Sequence, residues 1–293
     1  MSGFSATWLG LREPHDVRAR NVEVLAAVTA SFKQHHTIHI ADLACGTGST
    51  MRALSPLLAA RQEWRLVDND IALLSEADAT TSLERVAATA VALDLNRSLD
   101  GALECPIDLV TASALLDLVS ETWLERLAAM LAARSIPFYA ALSYDGRIEL
   151  TPRDSCDAAI IAAVNAHQRT DKGFGPALGP SAAIFAITHF QSHGYSLVHG
   201  NSDWFIGSND CEMQLEVLSG WAGAAVDTGK LTAADTDAWL MRRKGAIAAG
   251  LSSIRVGHVD VFASPIRTRW ADRSQSNKTS SSIRCTRVGG RNA

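Results

Sequence analysis

A short apolar run, Ile38-His39-Ile40-Ala41, ends in Asp42 and runs straight into Leu43-Ala44-Cys45-Gly46-Thr47-Gly48, with a helix-forming stretch behind it. A strand that passes through a turn of small residues into a helix is the opening of a parallel α/β unit. Ala44, Gly46 and Gly48 let the backbone turn sharply and come close to a ligand, and the following helix aims its first amides at the same place. A carboxylate or a phosphate would satisfy those amides equally well. An ordinary strand-to-helix turn would use the same residues.

The rhythm continues down the chain. Strands are expected at Trp64–Val67, Val86–Leu93, Ile107–Thr111, Ile136–Leu142, Tyr195–His199 and Val259–Ala263. Helices are expected over 16–34 with Asp16 as cap, 49–60, 71–79, 122–133, 157–166, 181–193, 210–225 and 233–249. This predicts a doubly wound α/β fold: a mostly parallel, seven-stranded sheet with helices on both faces and helical insertions after strands 5 and 6. Right-handed crossovers place all the strand ends on one edge. Asp42, Asp68, Asp94 and the segment after Thr111 then converge on one crevice, where ligands bind in such sheets.

Three features narrow the ligand. Met51 stands where a dinucleotide fingerprint needs its third glycine, which makes an NAD-dependent oxidoreductase a poor fit. No Lys-Ser/Thr pair follows the loop, which removes a triphosphate P-loop. Asp42, just before the glycines, would repel a pyrophosphate but suits a ligand bearing an amine and a sulfonium.

The stretch Ile40-Ala41-Asp42-Leu43-Ala44-Cys45-Gly46-Thr47-Gly48 resembles the first motif of the class I S-adenosylmethionine-dependent methyltransferases, with Ala44 for the usual first glycine. The resemblance runs on through Val67-Asp68-Asn69-Asp70, Ala92-Leu93-Asp94-Leu95 and Asp108 to Leu116, covering residues 38–142. It implies a Rossmann-like fold and S-adenosyl-L-methionine as cofactor. Asp42 and the backbone of Ala44, Cys45, Gly46 and Gly48 would face the methionine moiety. Asp68, beside Asn69, would accept from the ribose hydroxyls, Asp94 and the Leu95 amide would hold the adenine, and Thr111, Ala112 and Ser113 would line the methionine side. One carboxylate matches two ribose hydroxyls in charge-assisted contacts; each aspartate is also the residue an ordinary turn or cap would use.

Methyl transfer from a sulfonium needs alignment more than covalent help, so a fixed catalytic residue need not be visible. Two segments outside the core are expected to enclose a small-molecule acceptor: the N-terminal stretch with Trp8 and Arg12, and the insertion with Tyr144, Asp145, His167, Arg169 and Phe174. His167 or Asp145 could be a base, and Arg12 or Arg169 could hold an anionic acceptor. A helix-borne histidine is more often a satisfied surface residue, and Tyr-Asp-Gly is usually a turn. Trp204, Phe205 and Trp221 could shape an apolar pocket or simply fill the core. The Pro-Pro-aromatic sequence of DNA amino-methyltransferases is missing after the fourth strand.

Domain organisation is expected as an N-terminal lid segment and helix (1–36), a Rossmann-like domain (37–270) with residues 143–180 covering the acceptor, and a disordered basic tail (271–293). The tail's five cations, Arg273, Lys278, Arg284, Arg287 and Arg291, against Asp272 leave residues 1–270 near −8 of the chain's net −4. An acidic body argues against a large nucleic-acid footprint. A tail-guided RNA or protein methyltransferase and a non-catalytic cofactor-binding module remain alternatives. Five scattered cysteines without a Cys-x-x-Cys pair suggest neither a zinc site nor a disulfide framework. No secretory signal or membrane span is legible, so a reducing, cytoplasmic setting is expected. The residues give no reading of oligomeric state.

Overall fold

A computed structural model describes residues 4–79, 85–104 and 106–266; the tail 271–293 lies outside them. In chain order the elements are α1 (Ala6–Ala19), α2 (Val22–Phe32), β1 (Thr37–Leu43), α3 (Ser49–Leu54), β2 (Arg61–Asp68), α4 (Ile71–Ala79), β3 (Val86–Ala92), α5 (Leu99–Ala102), β4 (Leu109–Ser113), α6 (Glu121–Arg134), β5 (Phe138–Thr151), α7 (Asp157–His167), α8 (Ala182–Ser192), β6 (Tyr195–Asn201), β7 (Trp204–Ile206), α9 (Cys211–Asp227), α10 (Ala233–Ala248) and β8 (Ser253–Pro265).

The strands join in the order β3-β2-β1-β4-β5-β8-β6. The first five are parallel, and β8 runs antiparallel between β5 and β6. Alternation of side chains along each strand feeds two cores. On β1, Ala41 and Leu43 join Leu124, Leu127 and Leu131 of α6 and Phe190 of α8 on one face. Ile38 and Ile40 point the other way, to Val24, Val28 and Phe32 of α2 and Met51 and Leu54 of α3. Both faces are thus covered, as a parallel sheet requires, and the expected doubly wound class is what the chain forms.

The sheet holds one strand more than the seven expected. Trp204–Ile206 is too short to read by periodicity, but it pairs with β8 through Val256, Arg255 and Ile254. Residues 143–151 likewise continue β5 rather than opening an insertion. Register shifts against β8 between Ala140 and Ser143 and between Tyr144 and Ile148 bend the long strand, as bulges do. The extended ends of β5 and β8, with β7, carry a third core built on Ile160 and Val164 of α7, Met213, Val217 and Leu218 of α9, and Trp239 of α10.

The helix expected over 16–34 is two helices. Asn21, not Asp16, is the cap: its Oδ1 accepts from the amides of Glu23 and Val24, and its own amide donates to the Asp260 carboxylate at 3.0 Å. Asp16 lies buried inside α1, paired with Arg12 at 2.9 Å and accepting from the Trp204 indole at 2.9 Å. The 49–60 helix stops at Leu54, where Pro56 tightens the chain into a 3-10 turn.

Candidate active site

Strand order reverses between β1 and β4, since β2 and β3 lie on one side of β1 and β4 and β5 on the other. At such a switch point the two neighbouring loops leave in opposite directions and open a crevice. A cavity of about 650 Å³ sits there, over the carboxyl ends of β1, β2, β3 and β4. Its wall includes Ala44, Cys45, Gly46 and Thr47 of the glycine loop, Asp68, Asn69 and Asp70 at the end of β2, Leu93, Asp94 and Leu95 after β3, and Ser113, Ala114 and Leu115 at the end of β4.

The glycine loop is held in left-handed backbone at Ala44, Gly46 and Gly48, with φ of 52°, 54° and 82°. Ala44 bears that strain although it has a Cβ. At Gly46 a Cβ would stand 3.0 Å from the Leu9 side chain, so α1 presses directly on the loop. Glu13 of α1 clamps it further through Arg52, whose Nε donates at 2.6 Å. Asp68 supports the loop from below: Oδ2 accepts from the Gly46 amide at 2.8 Å and Oδ1 from the Asp70 amide at 3.0 Å. Each oxygen keeps lone-pair capacity for another donor. Asp94 is half-exposed and accepts from the Asn96 amide at 2.9 Å. Burial pushes the Cys45 thiol up, away from the thiolate a nucleophile would need.

Four residues expected on this wall, Asp42, Gly48, Thr111 and Ala112, do not line it. Asp42 is fully buried beneath the loop, where Oδ1 accepts from the Thr111 hydroxyl at 2.7 Å and Oδ2 has no partner. It sits in the strand, not past its end, so it supports the floor and does not face the crevice. Burial pushes its carboxyl up to about 7, against the Thr111 hydrogen bond and Arg20. In the unfolded chain the group ionises near its ordinary 3.8. Stability from the neutral buried carboxyl is therefore fully present below that value and lost as pH rises through about 7. Asp42→Asn, neutral throughout, is expected to remove a slope of up to about 1.4 kcal/mol per pH unit in this window. Urea unfolding across that window measures it, and an unchanged slope would place the titration elsewhere.

A second cavity, of about 610 Å³, adjoins the first. Phe4, Arg12, Ala114, Leu118 and Lys172 line both. Of the expected acceptor residues, Trp8, Arg12, Tyr144 and His167 line this cavity, as do Trp204 and Trp221. Phe205 does not: it faces outward from β7 at 68% exposure. Asp145 and Arg169 line neither cavity. Asp145 is drawn into the bulge of β5, where it takes Arg147 Nε at 2.6 Å, and Arg169 donates to the Asn165 carbonyl at 2.8 Å. Phe174 lines the first cavity, edge-on to Trp123 at 5.5 Å. Asn96 Nδ2 holds the neighbouring Gly173 carbonyl at 2.8 Å, so this part of 143–180 closes over Asp94 and Leu95.

Two functional candidates escaped the sequence reading, Asp117 and His258. Both line the second cavity, each 5% exposed. Asp117 had a signal: it is the one acid in the apolar run from Ala112 to Val119. His258 had none, because only the pairing of β8 with β5 brings it opposite Tyr144. Separately, ligand atoms of Glu121, Glu125 and His189 lie within 4.8 Å of one another, but these residues line neither cavity. No described helix is long and apolar enough to cross a membrane.

No family model matches the chain, and no curated protein matches it. Among solved structures it is similar to a cyclopropane-fatty-acyl-phospholipid synthase-like protein from Lactobacillus casei, with 12% identity over 89% of this chain and 94% of that one and a TM-score of 0.47. It is similar to an S-adenosylmethionine-dependent methyltransferase from Thiobacillus denitrificans in complex with S-adenosyl-L-homocysteine, with 12% identity over 89% and 99% and a TM-score of 0.43. A cyclopropane synthase from Mycobacterium tuberculosis matches at 10% identity over 83% of each chain, with a TM-score of 0.44.

Proposed function

We propose that this protein is an enzyme that transfers a methyl group from S-adenosyl-L-methionine to a small-molecule acceptor. The observation that carries the reading is the pair of adjoining cavities with a shared wall at Ala114 and Leu118. One chamber lies at the switch point and the other lies among α1, α7 and α9 and the strands β5, β7 and β8, so two molecules can meet at the shared wall.

The first chamber suits the cofactor. Asp16, Asp68, Asp70 and Asp94 line it against Arg12 and Lys172, and Arg12 is already paired with Asp16. That acid excess favours a ligand with an amine and a sulfonium over a pyrophosphate. Asp68 would accept from the ribose hydroxyls, Asp94 and Leu95 would hold the adenine, and the Ala44–Gly46 backbone with Ser113 would face the methionine end. When bound, the cofactor supplies a methyl group already activated by its sulfonium, open to in-line displacement. The protein aligns the two reactants and excludes water, worth about 7–11 kcal/mol of barrier when geometry is ideal. A reducing, cytoplasmic setting belongs to this reading and suits the free thiols of Cys45, Cys156 and Cys211.

Isothermal titration tests it. S-adenosylmethionine and S-adenosylhomocysteine are expected to bind with micromolar affinity or better, and NAD to give no heat. Silence with both adenosyl compounds would overturn the proposal.

A further inference from the structure

The second cavity carries more than an enclosing role. Among the described residues, eleven buried side-chain atoms have no hydrogen-bond partner. Only two of them belong to residues lining either cavity, Asp117 Oδ1 and His258 Nδ1, and both line the second. Buried polar groups are mostly satisfied, so two residues with unmet hydrogen-bonding capacity on the wall of one chamber set that chamber apart.

Position adds to this. Asp117 lies on the 3-10 turn Leu116–Leu118, immediately after β4. Ala114, in left-handed backbone at φ 50°, swings the chain from the first chamber into the second. Asp117 is therefore flanked by Ala114 and Leu118, the residues common to both walls, where the reacting groups would meet.

The surroundings select the acceptor's chemistry. Trp8, Trp204, Trp221 and Tyr144 supply flat apolar walls. Asp117, Glu216 and Asp227 disfavour a carboxylate, and Arg12 and Lys172 beside Asp117 offset part of that negative charge, so the chamber calls for no full charge on its ligand. A neutral aromatic molecule with a protic group remains.

Resting on the methyl-transfer reading, we infer that the acceptor is a phenol or hydroxylated heteroaromatic ring, and that the Asp117 carboxylate is the base that takes its proton, with the His258 imidazole as a second hydrogen-bonding contact. The hydroxyl oxygen forms its bond to the methyl carbon as the carbon–sulfur bond breaks and leaves its pair on sulfur. The hydroxyl proton passes to the Asp117 carboxylate, giving a neutral carboxyl that later releases it to water. Charge balances: a sulfonium and a carboxylate become a thioether and a carboxylic acid.

Burial raises the Asp117 carboxyl to about 6, opposed by its own amide, Arg12, the Tyr144 amide and Lys172. A base poised there accepts a proton better than an ordinary carboxylate. Burial, then Arg12, lowers His258 to about 3, so its imidazole stays neutral and remains available for a hydrogen bond. The groups facing Asp117 are Arg12 from α1, Lys172 from the loop after α7, and Tyr144 from β5.

The test offers 2-naphthol, p-cresol, benzylamine and benzoate with S-adenosylmethionine to wild type and Asp117→Asn. Methylation of 2-naphthol or p-cresol alone is expected, with kcat lowered about 10²–10⁴-fold in the variant. KM for the phenol should change far less, and S-adenosylhomocysteine binding should be intact, which also reports that the variant is folded. Independently of turnover, infrared difference spectra of wild type should show a carboxyl carbonyl band titrating near 6 that Asp117→Asn lacks. Wild-type kcat in the variant, transfer to benzylamine or benzoate instead, or no phenol methylation despite intact S-adenosylhomocysteine binding each overturns the inference alone. Failure of wild type to bind S-adenosylhomocysteine overturns the methyl-transfer reading and this inference together.

Discussion

Replacing Asp68 by alanine is expected to weaken binding of S-adenosylmethionine and S-adenosylhomocysteine by at least about 100-fold, with a small effect on global stability. Its carboxylate holds the Gly46 and Asp70 amides at 2.8 and 3.0 Å and so sets the shape of two walls of the first cavity. In the proposed complex it also receives two ribose hydroxyls. Hydrogen bonds to a charged acceptor contribute about 1.5–3 kcal/mol each, and every 1.4 kcal/mol is about tenfold in affinity. Two such contacts give the stated loss before any distortion of the loop. Asp68→Asn, which keeps one acceptor oxygen, should fall between. Titration calorimetry reads both variants, and an unchanged affinity in Asp68→Ala would mean that no ribose sits against this residue.

Trp239→Ala is expected to have the largest effect on stability, a loss of about 3–5 kcal/mol by urea unfolding. Trp239 is completely buried on α10 and packs in the core that holds α7 and α9 on the extended ends of β5 and β8. Its indole donates to Asp157 Oδ1 at 2.9 Å, and Arg243 lies over the ring at 5.8 Å. Removing the ring leaves a void that rigid helices fill poorly, and a large share of the usual 5–15 kcal/mol of domain stability goes with it. The damage should also be local in function. Glu216, Val217, Gly220, Trp221 and Ala224 of α9 line the second cavity, whereas the first stands on the two cores flanking the parallel sheet. Acceptor binding should therefore suffer before cofactor binding does. A loss below about 1 kcal/mol would show that this core can repack around the gap.

Much of the sheet was legible because helix and strand leave different periods in the chain. β1, β2, β3 and α4 fall where hydrophobic spacing places them. Asp68 and Asp94 lie on the wall of the first cavity for the same reason: a strand end is a one-dimensional landmark, and right-handed crossovers send every such end to one edge. The misses have a common cause. Asp42 looked equivalent to Asp68 in sequence, but pairing with β2 and β4 carries β1 one residue past it and buries it under the loop. Asn21 won the capping role over Asp16 through its tie to Asp260, more than 200 positions away. Tyr144-Asp145-Gly146 reads as a turn locally, yet β8 turns it into a bulged strand.

What this sequence determines alone is the sheet edge on which the first chamber opens: period, small residues and strand-end acids are short-range properties, and parallel topology follows from them. The second chamber was decided only in three dimensions. Its orphaned Asp117 and His258 come from chain segments about 140 residues apart, and its aromatic walls come from α1, β5, β7 and α9. No local pattern marks His258, and a lone acid in an apolar run is all that marks Asp117, because burial is a property of packing rather than of spacing.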